Sequence, residues 1–190
     1  MKTAYGYKLF RKDKSGKFFP LYVNANKEIP TNQWLFAECG ERTASGKVKS
    51  KLGELAYRGG WHINDLCPYI VHIYGKQYTE NGKELEKNTG RRFNRVQKKD
   101  HVWCLVEYET TIDQQEEANS KGINKHGKLV PKNAQLEMVD KHGFYRYKTN
   151  PQMFGQWIIA GNMRIIRELT HEEVVEKCAE YGLIPLPQEV

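Results

Sequence analysis

The sequence predicts one α+β domain over residues 1–190, with a mainly antiparallel sheet and two or three short helices, the last at the C-terminus. Two observations predict it. Several short segments alternate apolar with polar residues, as half-buried strands do, and a segment near the end carries a helix-capping signal. Hydrophobic residues make up 39% of the 190 residues, enough for a folded core. No internal repeat or linker composition indicates a second domain.

The first strands are predicted at the N-terminus. Ala4–Arg11 alternates aromatic with polar residues, and Asp13–Gly16 supplies turn residues before the apolar stretch Phe18–Val23, so we expect a β-hairpin. Gln33–Glu38 is typical of a further strand or of one helical turn. Residues 39–52 are rich in Gly, Ser, Thr and Lys, which predicts a polar loop.

The middle of the chain contains the clearest strand. His101–Glu109 (HVWCLVEYE) is apolar on both faces, which indicates a central strand. Before it, Asn64 or Asp65 can cap a short helix that runs through Tyr74. The polar and strongly basic residues 76–99 are interpreted as a loop insertion.

Weaker signals follow the central strand. Residues 112–122 are predicted as a short helix, residues 124–142 as a third polar loop and residues 143–148 as an alternating strand. Gln156–Ala160 and Met163–Glu168 flank Gly-Asn, a dipeptide typical of two-residue turns, so we expect them to pair as a hairpin.

The C-terminal helix carries the strongest local signal. Thr170 and Glu173 have the spacing of a capping box, and Val174 and Cys178 lie on one apolar stripe. Gly182 is expected just beyond the end of the helix.

Charge is distributed unevenly along the chain, whose formal net charge is +7. Residues 1–100 contain 20 Lys and Arg against 10 Asp and Glu, so an anion is expected to bind this half. A nucleic acid and a phosphorylated small molecule both satisfy that expectation.

Cysteine spacing and hydropathy exclude several classes. The four cysteines are irregularly spaced without a CxxC pair, which indicates buried reduced thiols rather than a disulfide scaffold or a zinc site. No apolar run approaches the ~18 residues that span a bilayer, and the N-terminus has no signal-peptide core. We therefore expect a cytoplasmic protein without a membrane partner.

The segment Tyr57–His62 is the densest cluster of residues suited to ligand binding. Two glycines allow a close backbone approach, Arg58 can hold a phosphate or carboxylate, and Trp61 offers a stacking face. His62 can bond a ribose or act as an acid or base, and His72 follows ten residues later. The alternative is a simple turn with a core tryptophan and two structural histidines.

Glu107 lies in the middle of the otherwise apolar central strand. A buried carboxylate there needs a partner, and it could orient a sugar hydroxyl or act as a general base. In the alternative, alternation places Glu107 and Glu109 in contact with water.

A basic arm with one aromatic residue precedes the central strand. Its composition suits contact with a phosphate backbone, although such runs also form solvated loops. The candidate nucleic-acid ligands are Arg91, Arg92, Arg95, Lys98 and Lys99.

Six segments of the chain carry a resemblance: YKLFR, RGGWH with DLCPY behind it, VWCLVEYE, EEANSKG, GFYRYKTNP and WIIAGNMRIIREL. Together they resemble a family of uncharacterised proteins encoded by phages and mobile elements of gut bacteria. Similar segments occur in that family in the same order, sometimes as a module of very large polyproteins. The resemblance covers nearly the whole chain and implies an accessory protein that acts in a bacterial host cell.

The order of elements also resembles the core of ADP-ribosyltransferases, which bind NAD in a cleft between two small sheets. This resemblance implies that Tyr7 or Arg11 occupies the ligand-binding position of the first strand and that Trp61 and His62 lie in the Gly-aromatic strand. The chain departs from the family because it has no Ser-Thr-Ser motif and because Glu107 comes early for the catalytic glutamate.

The leading hypothesis is a protein that binds a nucleotide such as NAD or an ADP-ribose-like signal, with ADP-ribosyltransferase-like chemistry if it is an enzyme. Arg58 would then bind the diphosphate, Glu107 a ribose hydroxyl, and His62 the ribose or a proton. One alternative is a nucleic-acid-binding protein that uses the basic arm. Another is a non-catalytic anti-defence protein that sequesters a signal nucleotide or a host defence protein.

Overall fold

The computed structural model describes residues 1–69, 77–78, 84–86, 97–149, 154–186 and 188–190 of the chain, with backbone alone for 77–78 and 84–86. Within these ranges the fold is α+β in the broad sense, with sheet predominating over two α-helices. The predicted helix through Tyr74 lies mostly outside the described residues, and its proposed cap Asn64 belongs to a strand instead.

The elements are numbered in chain order. The strands are β1 (Thr3–Lys12), β2 (Phe18–Phe19), β3 (Leu35–Phe36), β4 (Val48–Ser50), β5 (Gly53–Leu55), β6 (Trp61–Asn64), β7 (Gln77–Tyr78), β8 (Glu84–Glu86), β9 (His101–Glu109), β10 (Ile112–Asp113), β11 (Gly143–Tyr147), β12 (Trp157–Ala160) and β13 (Asn162–Glu168). The helices are α1 (Gln115–Lys121), a 3₁₀ turn (Pro131–Asn133) and α2 (His171–Ala179).

Among the described residues, nine strands form one sheet in the order β10-β11-β12-β6-β1-β9-β13-β3, with β2 paired to β1. The β10–β11 pair is parallel and the other pairs are antiparallel. The predicted N-terminal hairpin is confirmed by β1 and β2. The predicted central strand is also confirmed, since β9 spans His101–Glu109 and lies between β1 and β13.

The predicted hairpin of β12 and β13 is wrong. β12 pairs with β6 and β11, whereas β13 pairs with β9 and β3. One residue, Gly161, joins the two strands, so Trp157–Glu168 is a single bent segment whose halves pair on opposite sides of β6, β1 and β9. The sheet is therefore curled, and one continuous segment of the chain contributes a strand to each side of it. Glycine is required at the bend because a Cβ atom would overlap the carbonyl group of Asp140.

The inner face of the curled sheet contains one apolar cluster. It includes Phe10, Ile63, Cys104, Val106 and Ile165, all fully buried. Because strand residues alternate between faces, the residues next to them in sequence point outward.

A second cluster covers the outer face. Leu9 and Trp103 of the sheet pack in one cluster with Val174 and Cys178 of α2. Thr170 caps α2 by the predicted box: its side chain accepts from the backbone N–H of Glu173, whose carboxylate accepts from the Thr170 N–H. Elsewhere in this cluster Tyr145, Tyr147 and Ile159 lie with Ala118 of α1 and with Leu136 and Val139 of the preceding loop.

Part of the first predicted polar loop is a hairpin. Within 39–52 the structure forms β4, which pairs with β5 and buries Val48. Residues 77–78 pair with 84–86 in a second two-stranded sheet, inside the predicted insertion 76–99. The third predicted loop, 124–142, contains the 3₁₀ turn. In the described ranges, no helix is both long and apolar enough to cross a membrane.

Candidate functional site

Arg58 is a sequence-predicted ligand residue that has no anionic partner among the described residues. Its guanidinium lies 4.4 Å from the centre of the Tyr147 ring, and its Nε atom is buried without a hydrogen-bond partner. Across the described part of the chain, Arg58 makes neither a hydrogen bond nor an ion pair through its side chain. Tyr147 is itself buried, and its hydroxyl donates to the Lys132 carbonyl at 3.1 Å. The stacked pair is therefore rigid on the tyrosine side.

The backbone around Arg58 is held by the loop that precedes β11. The N–H of Gly59 donates to the Glu137 carbonyl at 2.7 Å, and its carbonyl accepts from Val139 at 3.1 Å. Gly60 has φ +148° and contacts Ile159 and Val139 so closely that a Cβ atom would meet Ile159 at 2.5 Å. The two glycines thus serve a turn and close packing.

Trp61 and His62 lie on opposite faces of β6, as alternation requires. Trp61 packs against the inner cluster, and its indole N–H donates to the Leu35 carbonyl at 2.9 Å. The His62 ring contacts Trp157 on the outer face at 5.9 Å, and its Nδ1 lies 3.1 Å from the Gly60 carbonyl. The structure therefore does not combine the indole and the imidazole in one site. His72, the other predicted histidine, lies outside the described residues.

A second guanidinium stack lies beside Arg58. The guanidinium of Arg42 is 3.6 Å from the ring centre of Tyr57, the residue that precedes Arg58. A hydrogen bond with Cys39 and burial raise the pKa of the Tyr57 hydroxyl. Consecutive residues of one segment thus take part in two arginine–tyrosine stacks.

The two candidates from the first strand, Tyr7 and Arg11, share the outer face of β1. Tyr7 is half-buried, and burial raises its pKa. Arg11 donates to the Ala25 carbonyl at 3.0 Å and stacks 4.5 Å from the Phe19 ring centre. Tyr7 packs against the outer cluster, and Arg11 has its own partners at Ala25 and Phe19, although its Nε atom is buried without a hydrogen-bond partner.

Glu107 is buried, as one of the two sequence-based interpretations requires. It is 6% exposed and pairs with Arg164, directly opposite on β13. The Nε and Nη2 atoms of Arg164 lie 2.7 and 2.6 Å from the same oxygen, Oε2. Arg164 also lies over Trp34, 5.0 Å from the ring centre. The ion pair compensates the carboxylate and leaves Oε1 outside the contact with Arg164.

Glu109, two residues further along β9, has a different partner. It is 2% exposed; its Oε2 lies 2.8 Å from His142 Nδ1, and its Oε1 accepts from Asn162 at 3.0 Å. Burial acts to raise the pKa of Glu109, but hydrogen bonds from Asn162, His142 and Thr111 outweigh it, so the pKa lies below its usual range. Glu109 is therefore ionised at neutral pH.

These residues form a continuous polar–aromatic face, which we define as Tyr5, Trp34, Phe36, Glu107, Glu109, His142, Asn162 and Arg164. Cross-strand register aligns Tyr5 with Glu107 and Arg164, and Asn162 with Phe36. Tyr5 is 58% exposed and Phe36 is 45% exposed. The carboxylates of Glu107 and Glu109, each with its own partners, thus lie between exposed aromatic rings.

The two predicted catalytic residues, His62 and Glu107, are not neighbours. Asn64 pairs with Tyr7, and Tyr5 pairs with Glu107, on opposite edges of β1. His62 and Glu107 are therefore two strands apart and offset by four residues, or roughly 17 Å by strand geometry. A single small group cannot contact both.

The basic arm lies mostly outside the described residues, including Arg91, Arg92 and Arg95. Lys98 and Lys99 are described and exposed. The backbone N–H of Lys99 donates to the Glu189 carboxylate at 2.9 Å, which ties this end of the arm to the C-terminus.

The four cysteines are reduced, and three of them are buried. A hydrogen bond with Cys178 and burial raise the pKa of Cys67, and burial raises the pKa of Cys104 to about 12. Among the described residues, no group of three or more His, Cys, Asp and Glu side chains could hold a metal ion.

Sequence analysis did not identify His142 or Arg164 as partners of the two glutamates. Arg164 is 57 residues from Glu107, and His142 is 33 residues from Glu109, so no local pattern connects them. The sequence signal was the carboxylates themselves, since two buried glutamates on one strand require partners from elsewhere in the chain.

Comparison of the chain with protein-family models, with curated proteins and with solved structures finds no match.

Proposed function

We propose that this protein binds a nucleotide with a phosphate or diphosphate group, such as NAD or an ADP-ribose-like molecule, and that Arg58 binds the anion. The supporting observation is the half-buried Arg58 guanidinium, which stacks on Tyr147 and has no acceptor among the described residues. A partly desolvated cation without an acceptor is costly, and a phosphate offers oxygens that match the guanidinium fork.

The same segment offers an aromatic surface for a base. Tyr57 precedes Arg58, and its ring already stacks under the Arg42 guanidinium. Purine and nicotinamide rings stack on such flat cation–aromatic surfaces. In this proposal Trp61 does not stack on the ligand, because its ring is partly buried against the inner cluster. With the family resemblance, the proposal describes an accessory protein of a phage or mobile element.

The proposal concerns binding rather than turnover. Cleavage of a glycosidic bond would require a carboxylate near the ribose. Glu107 is engaged by Arg164, and His62 Nδ1 lies 3.1 Å from the Gly60 carbonyl.

Isothermal titration calorimetry with NAD, ADP-ribose and AMP tests the proposal. We expect Arg58→Met to weaken binding about 10- to 100-fold, because a charge-assisted hydrogen bond contributes about 1.5–3 kcal/mol. Arg167→Met is the matched control, since Arg167 is an exposed arginine already paired with Glu173. Heat absent with all three nucleotides, or equal affinity in the Arg58 variant, would show that Arg58 is not a nucleotide ligand.

Nucleic-acid binding is a second candidate because Lys98 and Lys99 are exposed and the first 100 residues carry the excess positive charge. It predicts retention of a single-stranded oligonucleotide that falls steeply between ~50 and ~200 mM salt. Replacement of Lys98 and Lys99 by Ala should weaken it, whereas Lys125→Ala and Lys128→Ala should not. Retention that does not change with salt would remove this candidate.

Sequestration without chemistry is the third candidate. It predicts that the nucleotide recovered after incubation and denaturation is chemically intact and that some of it accompanies the protein through purification. Recovery of nicotinamide from added NAD would instead show turnover.

A further inference from the structure

The outer face contains a histidine held by a buried carboxylate, distant in sequence from the Arg58 segment. Glu109 Oε2 lies 2.8 Å from His142 Nδ1. An ionised carboxylate can only accept hydrogen bonds, so Nδ1 carries a proton; in the neutral tautomer that this contact selects, Nε2 keeps its lone pair. The His142 side chain is 51% exposed while that of Glu109 is 2% exposed.

Hydrogen bonds hold the backbone of His142 in place as well as its ring. The His142 N–H donates to the Asp140 carboxylate at 2.9 Å, and its carbonyl accepts from Ile112 at 3.0 Å. The Asp140 N–H in turn donates to the Gln114 side chain at 2.8 Å. Asn162 holds the second oxygen of Glu109 at 3.0 Å. The imidazole is therefore pre-oriented rather than free to rotate.

An exposed phenyl ring lies next to the imidazole of His142, and a cation lies against that phenyl ring. Phe36 meets the imidazole edge-on, with 5.4 Å between ring centres, and is 45% exposed. The Lys141 ammonium lies 5.4 Å from the centre of the same phenyl ring. An aryl or short acyl group resting on Phe36 would thus lie beside both a nucleophilic nitrogen and a positive charge.

We propose that Glu109 and His142 form a catalytic dyad that hydrolyses activated esters, with an aryl ester of a short carboxylic acid as the substrate class. The proposal is independent of nucleotide binding at Arg58. His142 is the catalytic residue, Glu109 positions its ring and stabilises its charged state, and Phe36 binds the aryl group.

The reaction has two balanced steps. His142 Nε2 forms a bond to the ester carbonyl carbon, the bond from that carbon to the aryl oxygen breaks, and the aryloxide leaves with the electron pair. The acylated imidazolium keeps its Nδ1 proton against Glu109. Water then adds to the acyl carbon, the carbon–nitrogen bond breaks, and the proton that the water loses passes through solvent to the aryloxide. The products are the carboxylic acid and the phenol, and His142 returns to its neutral form.

Hydrolysis of p-nitrophenyl acetate tests the proposal. We expect His142→Gln to lower the protein-dependent rate at least about tenfold, since positioned groups of this kind contribute ~10²-fold in enclosed sites. Gln keeps a donor for Glu109 but has no imidazole nitrogen. His126→Ala is the control, because His126 is exposed and has no carboxylate partner in the described ranges. Equal loss in both variants, or an unchanged rate in His142→Gln, would overturn the proposal.

The role of Glu109 needs a separate readout. Glu109→Gln should lower the rate and also shift the nitrogen NMR signals of His142 towards a mixture of the two tautomers, while the His126 signals stay unchanged. Phe36→Ala should raise KM more than it lowers kcat, with Ile123→Ala as a control at another exposed apolar residue. An unchanged tautomer in Glu109→Gln would contradict the positioning role, whatever the effect on stability.

Discussion

Arg164 on β13 lies directly opposite Glu107 on β9, and its Nε and Nη2 atoms reach the same carboxylate oxygen at 2.7 and 2.6 Å. The two side chains differ in exposure, at 8% for Glu107 and 34% for Arg164. Loss of the arginine should therefore cost more free energy than loss of the carboxylate, because it would leave the more deeply buried charge without a partner.

This asymmetry predicts unequal effects of the two single substitutions. Arg164→Met should lower the free energy of unfolding by about 2–4 kcal/mol, and Glu107→Gln by roughly half as much, because Arg164 retains partial hydration. The double variant should recover part of the loss. Urea unfolding of all four proteins measures the cycle. A larger loss in Glu107→Gln than in Arg164→Met would contradict the argument.

Unlike Arg164→Met, Arg58→Met should not lower the free energy of unfolding when no ligand is present. The guanidinium has no acceptor in the described structure, and methionine keeps an unbranched apolar side chain without a charge. We expect the free energy of unfolding to stay constant or rise by up to about 1 kcal/mol. A loss above about 2 kcal/mol in thermal or urea unfolding would assign Arg58 a structural role.

Lys8 predicts a rise of stability at alkaline pH. It lies on the inner face of β1, donates to the His62 carbonyl at 2.9 Å, and burial lowers its pKa to about 8. An unfolded lysine titrates near 10.4, so between about pH 8 and 10.4 the unfolded chain binds more protons and the contribution of Lys8 to stability rises with pH.

Comparison with Lys8→Met isolates this effect from the titration of tyrosines and cysteines. The free energy of unfolding of the wild type minus that of the variant should increase from pH 7.5 to pH 10 and change little below pH 7. A difference that stays constant over this range would show that Lys8 titrates normally in the folded protein.

Gly161→Ala should strongly destabilise the fold. The added Cβ would overlap the Asp140 carbonyl group at the bend between β12 and β13, and backbone at this position cannot move without breaking one of the two pairings. We expect a loss of more than about 3 kcal/mol, or failure to fold. Gly127→Ala is the control: it lies at φ +73° with no neighbour within 4 Å, and should cost about 1 kcal/mol.

Thr170→Ala should lower the free energy of unfolding by about 1 kcal/mol, because it removes one half of the capping box of α2. Glu172→Ala, in the same first turn but outside the box, should have the smaller effect of a helix-dipole contact, about 0.3–0.5 kcal/mol. Thermal unfolding of both variants provides the comparison, and equal losses would contradict the capping argument.

Prediction from sequence was accurate where neighbouring residues decide the conformation. The bounds of β9 match HVWCLVEYE, the first hairpin forms across Asp13–Gly16, and Thr170 with Glu173 caps α2. Prediction was wrong at Gly161, because a Gly-Asn dipeptide is compatible with a tight turn and also with a sharp bend in a strand. Which of these forms depends on the partners of β12 and β13.

The candidate sites divide in the same way. Alternation along β6 places Trp61 and His62 on opposite faces. The sequence hypothesis grouped the two residues in one site and did not take this alternation into account. Glu107 was identified as a buried carboxylate in need of a partner, whereas the choice of Arg164 depends on the register between β9 and β13. His142 reaches Glu109 from a loop whose path is set by contacts with Gln114 and Asp140.

The amino-acid sequence by itself determined the strands β1, β9, β11, β12 and β13, the capped helix, the excess of positive charge in the first 100 residues and the presence of a glutamate within an apolar strand. These depend on hydrogen bonds and alternation over a few residues. Tertiary structure alone decided that the sheet curls onto its own chain, that Arg58 stacks on Tyr147 without an acceptor in the described residues, and that Glu109 orients His142. Those relationships join residues 33 to 89 positions apart, and only packing of the whole sheet brings them together.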